Sequence, residues 1–277
     1  MKLTDAERKP IFDAAKALGV KFNTQDKVDT LDQGINRTLA LIAQRPPATV
    51  VTPAPAPAQP RVPIVTLDGL AWSAMLALLT NPRAPALTDA DYARAADLLG
   101  HGVTPRHMRA SKKVEAPRGS FDEQGRPSIL YERHVFSRNT TPKGKFNDHH
   151  PELSALKGYG PGGYGAFSAQ YAKLERAYAL DPEAAFEGCS WGAFQVLGEN
   201  ATSLGYASAR AMAVELAASE AAHLDSYVAF VRVNGLADEL GRCRAGDPDS
   251  CIPFVEGYNG HGFRSFGYHI KFADALR

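Results

Sequence analysis

Along most of this 277-residue chain, apolar side chains recur every three or four positions, the spacing that gives a helix one buried face. Near the N-terminus Ile11, Phe12, Ala15 and Leu18 follow a possible cap at Thr4 and stop at Gly19, and Val28, Leu31, Ile35, Leu39 and Ile42 mark a second helix over about 26–43. The pattern then breaks: from Val50 to Pro63, prolines alternate with small residues, and their missing N–H groups rule out helix or ladder. These observations predict a small helical module at 1–45, a Pro/Ala-rich linker at 46–63 and one main domain at 64–277.

Within the main domain, Leu67–Leu79 is strongly apolar, Thr88 caps a helix to Leu99, and Thr104-Pro105 opens another that reaches Glu115. Ser128–Phe136 is rich in β-branched and aromatic residues behind a Gly-Arg-Pro turn, which predicts a strand. Residues 139–165 are polar and glycine-rich and read as a long surface loop. Helices are expected again at 167–180, 182–187, 191–199, 208–217, 220–234 and 262–276. The predicted fold class is α+β, predominantly α-helical, with one small β-sheet.

Charge changes this picture little. The 31 basic and 30 acidic residues leave a net charge of +1, so no overall field favours nucleic acid or an anionic membrane. No stretch reaches the roughly 18 apolar residues of a membrane span, and the N-terminus has no apolar run behind a basic start, so neither stable membrane insertion nor a signal peptide is expected. The expected state is a monomer. Cys189, Cys243 and Cys251 are too few for a disulfide scaffold. Cys243 and Cys251 bracket a turn-rich segment that a disulfide would suit, but free thiols are the favoured reading. His149, His150, His261 and His269 fit no standard zinc spacing, and neither a metal nor a cofactor is expected.

Two glutamates are placed for acid–base work. Glu115 ends a helix just before Ala116-Pro117-Arg118-Gly119, where burial of its side chain would raise its pKa. Taken alone, it reads first as a solvated helix-end residue beside Lys112 and Lys113. Glu132 falls within the predicted strand, where alternation puts Leu130, Glu132 and His134 on one face. On strand pattern alone, pairing with Arg133 or His134 is its simpler explanation.

The wider context changes those readings. Val114-Glu115, Gly125-Arg126-Pro127, Ile129–Phe136 with its Glu132-Arg133-His134 core, Trp191-Gly192-Ala193-Phe194-Gln195-Val196 and Tyr258-Asn259-Gly260 occur in this order. The ordered set resembles the catalytic domain of the phage endolysin N-acetylmuramidases, and more distantly goose-type lysozymes and soluble lytic transglycosylases. The resemblance covers about Thr88 to the C-terminus and implies a lysozyme-like domain that cleaves peptidoglycan glycan strands. It also implies Glu115 as general acid, Glu132 as second carboxylate, and a sugar-binding cleft lined by Gln195, Tyr258 and Asn259. Trp191, Phe194 and Phe263 offer further faces for sugar rings, His134 a further polar contact. Core packing is the alternative for these rings, and the stronger one for Trp191. For an endolysin, synthesis in the host cytoplasm without a signal peptide and action in the periplasm after membrane permeabilisation are implied. Family members follow the acid with Ser-Gly-Gly where this chain has Ala116-Pro117-Arg118. That departure keeps open a non-catalytic wall-binding or tail-associated module, while a lytic transglycosylase is the alternative within the same fold.

Overall fold

A computed structural model describes residues 67–277; the helices expected at 4–18 and 26–43 and the spacer at 46–63 lie outside the described residues. The described part is mainly helical, with a three-stranded antiparallel sheet in the order β1-β2-β3. Among the described residues no helix is long and apolar enough to cross a membrane.

The first helices form where their caps and apolar spacing place them. Helix α1 is Trp72–Leu78, α2 is Asp89–Leu99 and α3 is Pro105–Glu115. At α2, Thr88 Oγ1 accepts from the Asp91 N–H while the Asp91 carboxylate accepts from the Thr88 N–H, which satisfies two donors that a helix start leaves open. Helix α3 begins on Pro105, where no helical donor is lost, and buries His107, Met108, Ala110 and Ser111 along one face.

The predicted strand is shorter than its composition suggests. Strand β1 covers only Ile129–Tyr131, and residues Arg133–Asn139 form helix α4. The Glu132 carbonyl accepts from the N–H groups of Val135 and Phe136, which starts the helix, while its own N–H reaches the Gly188 carbonyl. Val135 and Phe136 are buried at 1% and 0% exposure, so burial of these side chains outweighs their strand propensity. The expected common strand face of Leu130, Glu132 and His134 therefore does not exist.

Helices α5 (Gln170–Tyr178) and α6 (Pro182–Glu187) follow the long loop. The helix expected at 191–199 is instead the end of β2 (Cys189–Trp191), a 3-10 turn at Gly192–Phe194, β3 (Val196–Leu197) and another short turn. Ile129 pairs with Trp191 and Leu130 with Ser190, while Trp191 pairs in turn with Val196. Helices α7 (Ala209–Leu216) and α8 (Glu220–Val233) match expectation, and the short α9 (Ala237–Gly241) follows.

The turn-rich segment between Cys243 and Cys251 is the start of helix α10 (Pro248–Asn259), capped by the Asp247 side chain on the Ser250 N–H. Both cysteines are buried and free, as is Cys189. The last helix, α11, is Tyr268–Ala275, shorter than the 262–276 expected because His261–Arg264 form a separate 3-10 turn.

Two hydrophobic clusters result. One gathers α2, α3, α8 and α10 around Met108, Phe194, Tyr227 and Phe254; the other gathers β1, α5, α6 and α7 around Tyr131, Phe136, Phe186 and Trp191. Trp191 belongs to the second and Ala193 to the first, so the chain steps between cores at Gly192. Gly192 has φ +68° and a Cβ there would lie 2.6 Å from His223 Nδ1, so no other residue fits without displacing that ring.

Candidate active site

Glu115 closes helix α3, and the following turn is pinned from behind. Glu220 of α8 accepts from Lys112 Nζ at 2.7 Å, from the Leu87 N–H at 2.9 Å and from the Ser120 hydroxyl. Across from it, at the C-terminal end of α10, Asn259 Nδ2 donates to Glu115 Oε1 at 2.9 Å. Burial raises the Glu115 pKa to about 7, against the opposing pull of the Asn259 bond and of the Lys271 charge. The carboxyl is thus half protonated near neutrality, the condition a general acid requires.

The second carboxylate sits differently. Glu132 lies between the end of β1 and the start of α4; its Oε1 accepts from Ser190 Oγ at 2.7 Å and its Oε2 from Tyr164 Oη at 3.4 Å. His134 Nε2 lies 3.8 Å from the same Oε2, but burial lowers the His134 pKa, so this ring is neutral at pH 7 and forms no ion pair there. Hydroxyls and a neutral imidazole therefore surround Glu132. Tyr268 of α11 is raised by burial and then by the charges of both Glu115 and Glu132, which brings the two carboxyls within electrostatic reach of one ring.

The wall over Glu132 is the loop 151–165, and Arg133 holds it. This guanidinium, in a residue only 7% exposed, donates to the carbonyls of Pro151 (2.9 Å), Lys157 (2.8 Å), Tyr159 (2.8 Å) and Pro161 (2.8 Å). Gln170 secures the loop's far end by donating to the Tyr164 and Ala166 carbonyls while accepting from the Tyr131 N–H. Gly158 is required where the loop closes, because a Cβ there would stand 2.6 Å from Tyr164 Oη and 2.8 Å from His134 Nδ1.

The other residues singled out in the sequence divide into two groups. Gln195, at φ 51°, donates to the Gly192 carbonyl at 2.8 Å and more weakly to that of Ser128 at 3.4 Å, half-buried beside the sheet. Trp191 and Phe194 are 1% and 0% exposed, with the Trp191 indole donating to the Phe186 carbonyl. Tyr258 Oη donates to the Phe194 carbonyl at 2.5 Å, and Phe263 is 2% exposed. Trp191, Phe194 and Phe263 are buried in the cores beneath the site, while Tyr258 is half-buried against them. Sequence reasoning missed Tyr164, Ser190, Tyr268 and the loop-holding role of Arg133; only the position of Arg133 in the Glu-Arg-His motif pointed toward any of them. Among the described residues no group of three or more His, Cys, Asp or Glu side chains is placed to hold a metal ion.

The Asn259 bond carries a prediction. Asn259→Ala removes a donor that favours ionised Glu115, so the alkaline limb of the pH–activity profile is expected to move to higher pH while turnover at the optimum falls. A limb that stays in place or moves down would refute the coupling.

Residues 104–277 match the N-acetylmuramidase (Muramidase) family. No curated protein sequence matches the chain. Among solved structures, an endolysin of the Burkholderia phage AP3 is 35% identical, with a TM-score of 0.59 over 71% of this chain and 70% of that one. Both glutamates, and all the groups found around them, fall inside the matched segment. On these grounds the chain belongs to the N-acetylmuramidase family and is a peptidoglycan hydrolase.

Proposed function

We propose that the protein is an endolysin that hydrolyses the β-1,4 bond between N-acetylmuramic acid and N-acetylglucosamine, with residues 64–277 as the catalytic domain. The observation that carries this reading is Glu115, buried enough to keep its proton near pH 7 and aligned by Asn259. Glu115 delivers that proton to the glycosidic oxygen as the bond breaks, which avoids expulsion of a bare alkoxide. The oxocarbenium-like centre then requires a negative charge or an activated water. Glu132 supplies it, because its partners Ser190 and Tyr164 orient the carboxylate without neutralising it. In this reading Asn259 and Gln195 also meet the N-acetyl and hydroxyl groups of the sugars. The protein works as a monomer without metal, reaching the wall from the host cytoplasm once the inner membrane opens.

Mass spectrometry of sacculi digested by the purified chain tests the chemistry. Reducing N-acetylmuramic acid ends are expected; 1,6-anhydro ends would assign a transglycosylase, and reducing N-acetylglucosamine ends a different bond.

A further inference from the structure

Every Phe, Tyr and Trp residue among the described residues is buried or half-buried except two. Tyr159 is 70% exposed and Phe266 is 65% exposed. A ring of this size gains from leaving water, so the two left open are the candidates for contact with another molecule. Each is joined through its neighbours to one of the catalytic carboxyls.

Tyr159 lies in the loop that Arg133 holds, and its carbonyl accepts from Arg133 Nη2 at 2.8 Å. Gly158, just before it, abuts Tyr164 Oη, the hydroxyl that donates to Glu132 Oε2. Gly163, just before Tyr164, abuts the Cα of Tyr159 itself: a Cβ there would stand 3.1 Å away. The turn thus clamps the Tyr159 backbone beside the group that orients Glu132 and leaves the ring in water. Phe266 stands in a like relation to Glu115. Beyond Asn259, which donates to Glu115, the N–H groups of Phe263, Ser265 and Gly267 close successive turns on the carbonyls of Gly260, Gly262 and Arg264. Those turns carry the Phe266 ring back to Gly262, with Cε2 4.0 Å from where a Cβ would be, and set it 6.2 Å from the Tyr268 ring, centroid to centroid. Helix α11, which starts at Tyr268, packs against α3, the helix that Glu115 ends.

The two segments adjoin. Burial, then Glu132, and then the charges of Tyr268 and Tyr159 raise the Tyr164 phenol to about 12, and Tyr268, raised first by burial, also feels both carboxyls. A sugar fits the two open rings better than a peptide does. The apolar C–H face of a pyranose stacks on an open aromatic ring while its hydroxyls stay hydrated, so such a contact asks for no polar partner. A peptide requires free backbone groups, and around Tyr159 the carbonyls of Lys157, Tyr159, Gly160 and Pro161 already accept from Arg133 or from the Gly163 N–H. Among the described residues neither open ring carries a cation over its face, whereas Phe167, Tyr171 and Tyr268 do.

We propose that Tyr159 and Phe266 are sugar platforms of the catalytic cleft: each stacks on the apolar face of a glycan residue away from the scissile bond, Tyr159 on the side of Glu132 and Phe266 on the side of Glu115, so that the enzyme grips a strand longer than a disaccharide. The inference rests on the hydrolase reading above and adds to it the residues that set affinity for the strand. The test measures kcat and KM of the full chain on soluble glycan strands freed of their peptides by an amidase. Tyr159→Ala and Phe266→Ala are each expected to raise KM about 3–10-fold. Turnover should change less than about twofold, because a contact remote from the reacting bond binds ground and transition states alike. Tyr159→Trp and Phe266→Trp are expected to keep the wild-type KM, and none of the four variants to move Tm, since neither ring belongs to a core. A KM unchanged in either alanine variant, or a tryptophan variant no better than the alanine one, would overturn the proposal, as would a fall in kcat with a lowered Tm in place of a higher KM. If the wild type cleaves no glycan, the hydrolase reading fails instead. Calorimetric titration with the same strands then decides the platforms: weaker binding to both alanine variants supports them, and equal binding, or none to the wild type, refutes them.

Discussion

Glu115→Gln is expected to remove about 10²–10⁴-fold of the turnover on sacculi while the protein folds normally, since the amide keeps the shape and the Asn259 partner but has no proton to give. The same substitution has a second signature, in stability. Burial lifts the Glu115 pKa from 4.5 to about 7, so the folded state favours the protonated form more than the unfolded chain does. The corresponding stability is fully present below pH 4.5 and is lost as pH rises through about 7. Above that range the wild type carries a destabilising ionised group worth up to about 3 kcal/mol, and the glutamine variant carries none. Thermal melts should therefore show the inactive variant more stable than wild type at pH 8 and indistinguishable from it at pH 4. In the wild type, activity should decline as pH rises past about 7, where the acid loses its proton. Retained lysis by the variant, or a stability difference of the opposite sign, would remove Glu115 from its role.

The second large effect belongs to Arg133. Its four carbonyl partners span residues 151–161 of the loop. Arg133→Met leaves those carbonyls to find water and is expected to cost about 3 kcal/mol in stability, the scale of losing several hydrogen bonds to one charged group. Release of the loop also withdraws Tyr164 from Glu132, and turnover should fall about 10–100-fold beyond what partial unfolding explains. Lysine should rescue little, because one ammonium has three donors on a flexible stem and cannot reproduce a planar fork spread over four acceptors. Hydrogen exchange gives the direct measurement: faster exchange confined to the loop is expected, and an unchanged loop with normal turnover would show that Arg133 only fills space.

How much of this was legible in the sequence depended on whether the deciding interaction was local. Helices α2 and α3 were readable because Thr88, Asp91 and Pro105 act within one turn of the backbone they cap. The stretch from Arg133 to Asn139 misled because the choice between strand and helix was made by distant partners, the Gly188 carbonyl and the core that receives Phe136. Helix α10 carried a local signal in Asp247 and Pro248, obscured by Pro253 and by the glycine and aspartates around it. At the site, Glu115 and Asn259 were legible through the ordered motifs, and the structure brings them within a hydrogen bond. Trp191, Phe194 and Phe263 show the limit: the area that suits a ring for stacking on sugar suits it equally for a core, and only burial distinguishes the two. Tyr164 and Ser190 had no distinguishing pattern, because their importance comes from where a loop and a second strand happen to meet Glu132.

Gly192 has a further consequence for the chemistry. Each acidic group is mounted on its own half of the molecule, so the gap between them, which selects inversion or retention of the anomeric carbon, is governed by how those halves are joined. The join includes a single backbone crossing with no room for a methyl group against His223. A side chain at Gly192 is accordingly expected to displace His223 and, through it, to shift the spacing of Glu115 and Glu132 without touching either residue.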